Sequence, residues 1–220
     1  GNLHDNGDGT WTFPPSHDLN ADDIPFSFTV SDGHTSVAGS ATLDLVAVAD
    51  APTLVAEAAS GKEDTAIALN IRTALTDLDG SETLSTITIS GVPTGAKLST
   101  GINNGNGTWT LSHGQLEGLT ITPPTNSGTD FTLGLSVTAT DANGSTSTTT
   151  ASLPVTVSAV ADTPSLTVTA AKGNEDTAIA LNIKPLLADT DGSENLSVTI
   201  AGVPTGAKLS AGTNDGNGSW

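Results

Sequence analysis

The amino-acid sequence predicts an all-β chain of tandem β-sandwich domains joined by short linkers. Three observations carry that expectation. The sequence repeats itself: Glu63-Asp64-Thr65-Ala66-Ile67-Ala68-Leu69-Asn70-Ile71 returns unchanged at Glu175 to Ile183, a shift of 112, and Val92-Pro93-Thr94-Gly95-Ala96-Lys97-Leu98-Ser99 returns at Val203 to Ser210, a shift of 111. Self-similarity at a fixed period is the mark of an array built from one unit. Short runs bounded by Gly, Pro and Asn alternate apolar side chains with Thr or Ser, the period of half-buried strands. Nothing resembles a helix of ordinary length, and no stretch approaches the ~20 apolar residues of a membrane span.

Further repeats set the phase. Ala47-Val48-Ala49-Asp50 returns as Ala159-Val160-Ala161-Asp162, and Asp77-Leu78-Asp79-Gly80-Ser81-Glu82 as Asp189-Thr190-Asp191-Gly192-Ser193-Glu194. With each unit beginning after the Ala-Val-Ala-Asp linker, residues 51–162 form a complete repeat, 1–50 the C-terminal half of a preceding one and 163–220 the N-terminal half of a following one. Gly1 to Pro15 lacks the pattern of a signal peptide. An internal piece of a longer chain is therefore expected.

In chain order, Asp5-Asn6-Gly7-Asp8-Gly9 reads as a tight turn rather than a calcium loop, because its copy at Asn104 to Gly107 keeps the Asn-Gly turn without the carboxylates. Trp11, Trp109 and Trp220 each follow such a turn, and are expected to be structural anchors rather than sugar platforms. Phe26-Ser27-Phe28-Thr29-Val30 alternates as a strand, and so do Leu84 to Ile89 and Phe131 to Val137. One helical turn is expected at most, at Ile71 to Leu75 ahead of the acidic loop. Ser152-Leu153-Pro154-Val155-Thr156-Val157 is expected to close each unit as an edge strand, since Pro cannot donate to a ladder. The first half-unit is shorter: Trp11 to Asp50 spans 39 positions and Trp109 to Asp162 spans 53, with no counterpart of Gln115-Leu116-Glu117-Gly118. About seven strands per unit suits a sandwich with its own core.

Composition removes several function classes. With 24 acidic residues against 6 Lys and Arg, the formal net charge is -18 and nucleic acid or an anionic membrane is a poor partner. Cys, Met and Tyr are absent, which excludes disulfides, thiolate chemistry and thiolate zinc sites. His4, His17, His34 and His113 show neither ligand spacing nor recurrence between units, and no nucleophile elbow or phosphate loop is present. Paired carboxylates could serve glycoside hydrolysis, but an active site seldom recurs at every joint of an array. No catalytic residue is assigned, and the chain is expected not to be an enzyme.

The acidic residues gather at strand ends and linkers. An Asp-x-Asp-Gly loop places two carboxylates on one side of a sharp turn, and carboxylates brought together repel unless a cation joins them. Calcium takes six to eight hard oxygen ligands. A linker Asp separated by one residue from a following Pro, at Asp50 or Asp162, is placed to meet such a loop where two sandwiches join.

The series Glu63-Asp64-Thr, Asp77-x-Asp79-Gly, Asp141-x-Asn-Gly and Ala-Val-Ala-Asp162-x-Pro resembles the cadherin-like and immunoglobulin-like tandem repeats of giant bacterial adhesins exported by type I secretion. The resemblance covers almost the whole chain. It implies extender modules that hold a binding tip away from the cell surface, with Ca2+ stiffening the joints. Carried over, the first joint draws on Asp50, Asp77, Asp79 and Asp141. The second draws on Asp162, Asp189 and Asp191, with Glu63 reaching from the preceding domain by the cadherin analogy, and Glu175 serves a third. The linker holds one acidic residue where cadherins hold more, so one calcium per joint is expected rather than three. For Glu82, Glu194 and Asp64 the choice between ligand and surface charge stays open.

The resemblance implies an extracellular location on a bacterial surface, a role in attachment or biofilm formation, and the neighbouring repeats as partners. Two alternatives remain: a carbohydrate- or protein-binding module on the same fold, and a filament in which chains complete one another's half-domains head to tail.

Overall fold

A computed structural model describes residues 3–16, 21–78, 80–189 and 191–220, with Ala21 and Asp22 described by backbone alone. The first segment holds two hairpins. Strands β1 (His4–Asp5) and β2 (Trp11–Thr12) flank the expected turn, in which Asp5 Oδ1 accepts the Gly7 N–H at 2.9 Å. β3 (Ala21–Ser31) and β4 (Ser36–Leu45) pair antiparallel, with a register shift between Ala21 and Ile24.

The complete unit begins with β5 (Thr53–Ala56), β6 (Ala59–Lys62), β7 (Ile67–Ala68) and β8 (Ile71–Ala74). β9 (Glu82–Leu84), β10 (Ile87–Ser90), β11 (Lys97–Leu98), β12 (Ile102–Gly105) and β13 (Thr108–Leu111) follow. After a 3-10 turn at His113–Gln115 come β14 (Thr120–Thr122), β15 (Phe131–Asp141) and β16 (Thr146–Ser158). One sheet runs β12-β13-β10-β15-β16-β6, with β9 also on β15. β11-β14-β7 and the pair β5-β8 face it. One apolar cluster fills the interior, drawing Ile87, Ile89, Leu133 and Leu153 from the large sheet and Ile67, Leu98 and Ile121 from the opposite one. The fold is a nearly all-β sandwich, because strict alternation along β15 sends Leu133, Leu135, Val137 and Ala139 to the core and Thr132, Gly134, Ser136 and Thr138 to the other face.

Two local expectations are corrected. Ile71 to Ala74 is β8, not a helical turn: Ile71 pairs with Ala56 and its side chain is buried, so the strand partner outweighs the local pattern. β16 is an edge only in part. Pro154 pairs with Thr132 of β15, and the far side of β16 takes a parallel partner from Val155 onward, where Val155 faces Ala59 and Ser158 faces Lys62. Proline sits one residue before that second ladder begins, where no donor is needed. Residues 163–220 hold β17 (Ser165–Thr169) and β18 (Asn182–Leu186), an antiparallel pair. Among the described residues no helix is long and apolar enough to cross a membrane.

Candidate metal centre

Carboxylates reach the first joint by strand register. The inward positions of β15 continue by the same period from Val137 through Ala139 to Asp141, so the core face ends in a carboxylate at the pole of the sandwich. Glu82 of β9 lies directly opposite Asp141. Glu82 is 6% exposed and Asp141 4%, and like charges facing across a ladder repel. The linker is strapped onto this pole. Asp50 N–H donates to Glu82 Oε1 at 2.5 Å, Ala49 N–H to Ser145 Oγ at 2.8 Å, and Asn143 Nδ2 to the Ala47 carbonyl. Thr76 Oγ1 donates to the Ala51 carbonyl at 2.7 Å. Carboxylate oxygens of Asp50, Asp77 and Glu82 lie within 4.8 Å of one another. Glu82 Oε2 and Asp141 Oδ2 are buried without a hydrogen-bond partner.

The second joint is built from both sides. Glu63 follows β6 in a tight turn that Asp64 completes at φ 55, and the Glu63 N–H donates to the Ser158 carbonyl at 3.1 Å, at the end of β16. Its Oε1 accepts the linker N–H of Val160 at 2.5 Å, while Oε2 is buried without a partner. From the following segment, the first Asp of the repeated loop, Asp189, is 1% exposed, and its Oδ1 accepts the Asp191 N–H at 2.8 Å. Gly128 N–H donates to Asp191 Oδ2 at 2.7 Å, and Asn126 Nδ2 to the Ala188 carbonyl at 2.8 Å. One loop of the complete unit thus grips the acidic loop of the next. Oxygens of Glu63, Asp189 and Asp191 lie within 4.8 Å of one another. On the linker, Asp162 N–H donates to Glu194 Oε1 at 2.7 Å.

The electrostatics of this second group are divided. The Val160 N–H bond pulls the Glu63 carboxyl down, yet burial and the charges of Asp189, Asp191 and Asp64 together outweigh it and leave its pKa above the ordinary value. Backbone N–H groups of Gly128 and Ser193 hold Asp191 below the ordinary range.

Of the residues expected from the sequence, the structure gathers Asp50 with Asp77, and Glu63 with Asp189 and Asp191. Asp141 lies beside the first group through its ladder partner Glu82, and Asp162 enters the second joint through its bond to Glu194. Asp79 lies outside the described residues, as does His17. Glu175 is exposed in its turn. Glu82 and Glu194, left open by sequence, stand inside the joints, each accepting the N–H of the linker Asp. The signal was present: Glu82 shares the face of Leu84 in a period-2 run, which carries a carboxylate to the core side. His113 is structural, bonding Thr73 Oγ1 at 2.9 Å and the Ser85 carbonyl at 2.8 Å. Trp109 packs against the core, whereas Trp11 is exposed.

Both groups consist of carboxylates alone, a donor set that suits a hard divalent cation and not zinc or copper. The buried oxygens without partners fit the same cation, since an unsatisfied buried acceptor is costly.

Comparison with curated proteins returns no match. Residues 1–46 match the cadherin-like domain family and residues 49–156 match the bacterial Ig domain family, so successive segments of the chain are similar to cadherin-like and Ig-like domains, in keeping with its nearly all-β fold.

Proposed function

We propose that the chain is an extender segment of a large, type I-secreted bacterial adhesin, in which calcium at the joints holds neighbouring sandwiches in line and projects a distal binding domain for attachment or biofilm formation. One observation carries this reading. In each joint a buried glutamate, Glu82 at the first and Glu63 at the second, takes the linker N–H on one carboxylate oxygen and leaves the other without a partner beside further carboxylates.

Such an arrangement costs free energy twice, through the unsatisfied oxygen and through like-charge repulsion. Bound calcium supplies positive charge and coordination that offset both. The residues do the mechanical part. Glu63 belongs to the complete sandwich, whereas Asp189 and Asp191 belong to the next segment, so holding their oxygens together fixes the angle between the two. Val160 and Asp162, tied to Glu63 and Glu194 through backbone N–H groups, leave the linker little freedom to bend. A cation that binds only the folded, aligned state stabilises it by RT ln(1 + [L]/Kd). Extracellular modules bind calcium at roughly 0.1 to 1 mM, so the chain is loose in calcium-poor cytoplasm and stiff outside. Gathering of acidic side chains at both joints supports a mechanical rather than a catalytic role.

The test is a calcium titration of the intact chain with melting temperature and small-angle scattering as readouts. The proposal expects both the melting temperature and the maximum dimension to rise with calcium and to fall again with EDTA. No change in either would remove it.

A further inference from the structure

We propose that Asn106 and Asn217, one position of the repeat at a shift of 111, are sites of spontaneous deamidation, at which the backbone nitrogen of the following glycine displaces the side-chain amide. The proposal is independent of calcium and of the joints.

The reactivity starts from the sequence. The backbone nitrogen after an asparagine can attack the side-chain Cγ and form a new C–N bond. The bond from Cγ to the amide nitrogen breaks, ammonia leaves, and water then opens the five-membered imide to aspartate or isoaspartate. A following glycine leaves the attacking nitrogen unhindered and the backbone free to rotate. Five Asn-Gly pairs occur: Asn6-Gly7, Asn104-Gly105, Asn106-Gly107, Asn143-Gly144 and Asn217-Gly218.

The fold sorts them. Asn6 Nδ2 donates to Thr10 Oγ1 at 2.9 Å and to Thr12 Oγ1 at 3.1 Å, and the Gly7 N–H donates to Asp5 Oδ1. Asn104 Nδ2 donates to Thr110 Oγ1 at 2.7 Å, and the Gly105 N–H to Asn103 Oδ1 at 2.9 Å. Asn143 Nδ2 donates to the Ala47 carbonyl, its Oδ1 accepts the Ser145 N–H at 2.7 Å, and the Gly144 N–H donates to the Asp141 carbonyl at 2.9 Å. In these three pairs both the leaving amide and the attacking nitrogen are held. Among the described residues no hydrogen bond engages the side chain of Asn106 or Asn217, or the N–H of Gly107 or Gly218. Both asparagines are exposed at a hairpin tip, with φ of 52 and 51. The attack needs the turn to open, and exposed tips lie at the low end of local stability.

Packing keeps the glycine in place. A Cβ on Gly107 would stand 2.6 Å from the Val92 carbonyl oxygen, and one on Gly218 2.7 Å from that of Val203. The carbonyls of the two glycines accept the N–H of Val92 at 3.1 Å and of Val203 at 3.0 Å. The contact that anchors the hairpin therefore demands the residue that makes the pair labile. A carboxylate is accommodated at this position: in the first segment it is Asp8, whose Oδ1 accepts the Thr10 N–H at 3.0 Å. The aspartate branch thus yields a side chain the repeat already uses. The isoaspartate branch adds one methylene to the backbone of the turn and pulls Gly107 away from Val92. A long-lived array gains negative charge in this way, repeat by repeat.

The test incubates the intact folded chain in mildly alkaline buffer, digests it, and reads each Asn-Gly pair by mass spectrometry, with isoaspartate counted by isoaspartyl methyltransferase labelling. Asn106 and Asn217 are expected to convert at least about tenfold faster than Asn6, Asn104 and Asn143, because a held pair must first release two or more hydrogen bonds. In urea the five rates are expected to converge. Asn103→Ala with Thr110→Val, which frees the Gly105 N–H and the Asn104 amide, is expected to raise the Asn104 rate toward that of Asn106. Conversion of Asn106 and Asn217 in the folded chain no faster than that of the three held pairs overturns the proposal. So does a native ranking that persists unchanged in urea, which would mean that sequence rather than fold sets the rates.

Discussion

Residues Glu63 to Ile71 and Glu175 to Ile183 have the same sequence and different structures. In the complete unit Ile67 and Leu69 are 2% and 3% exposed, and Ile67–Ala68 forms β7 against β14. Their counterparts Ile179 and Leu181 are 45% and 50% exposed and belong to no strand. The turn ahead of them is nevertheless the same in both places. Asp64 and Asp176 both take positive φ, 55 and 62, and Thr65 and Thr177 both donate to a carbonyl three residues back at 2.8 Å. Turn chemistry is local and travels with the sequence. Strand formation depends on the partner across the ladder, and β14 and β15 come from the half of the unit that residues 163–220 do not include. The joint contacts resemble the turn: the linker Asp N–H reaches its Glu in both places, over the same 32-residue separation.

The largest expected effect sharpens that contrast. Leu69→Ala is expected to destabilise the complete unit by about 2–5 kcal/mol, the range for emptying a buried leucine site. Leu181→Ala, the same change at the equivalent exposed position, is expected to cost within about 0.5 kcal/mol. Urea denaturation followed by Trp109 fluorescence separates the two, and equal costs would mean that the second segment has a core of its own.

Calcium comes next. At a free concentration a hundredfold above Kd the stabilisation is about 2.7 kcal/mol per site, a rise of roughly 10 °C in the melting temperature of a domain this size. Asp77→Asn is expected to abolish that gain at the first joint, and an unchanged calcium response by calorimetry would contradict the role given to it.

A smaller effect has opposite signs with and without the ion. Because the folded-state pKa of Glu63 is raised, folding disfavours its charged form. In calcium-free buffer that cost is present above the folded pKa and vanishes as pH falls through it. Glu63→Gln is thus expected to stabilise the calcium-free chain at neutral pH, and the difference from wild type is expected to close on acidification. In calcium the same substitution is expected to destabilise. Asp191 runs the other way: its lowered pKa contributes stability above the ordinary carboxylate range that is lost as pH falls through the depressed value. Denaturant midpoints across pH, with and without calcium, check both signs.

The smallest effect concerns the clasp between the segments. Asn126→Ala removes the bond to the Ala188 carbonyl and is expected to cost about 1 kcal/mol of coupling across the second joint, with no change in the core. Hydrogen exchange at the linker amides would register it.

Where periodicity and repetition sufficed, the sequence was legible. The strand at Phe131–Val137, the turn before each Trp, and the grouping of Asp189 with Asp191 follow from patterns visible without a partner, whereas the run Leu84–Ile89, expected as one strand, is broken at Ser85-Thr86 into β9 and β10. What stayed hidden depends on pairing. β8 takes its form from Ala56, fifteen positions before Ile71. Pro154 is tolerated because the parallel ladder with β6 starts one residue later. Glu82 is buried because β9 lies in register with β15, so that two carboxylates face each other at the pole, and only the three-dimensional ladder brings Asp141 opposite it.

The claim at the centre of this account is that carboxylates from two segments, drawn together by a cation, set the stiffness of a joint. The chain has no cysteine, so Thr156→Cys near the linker end of β16 and Thr167→Cys in β17, both exposed positions on either side of the second joint, can carry spin labels without interference. Electron–electron distance measurements between them are predicted to give a broad distribution in EDTA and a narrow one in calcium, with the narrowing lost in Asp189→Asn. The same distribution with and without calcium would contradict the account.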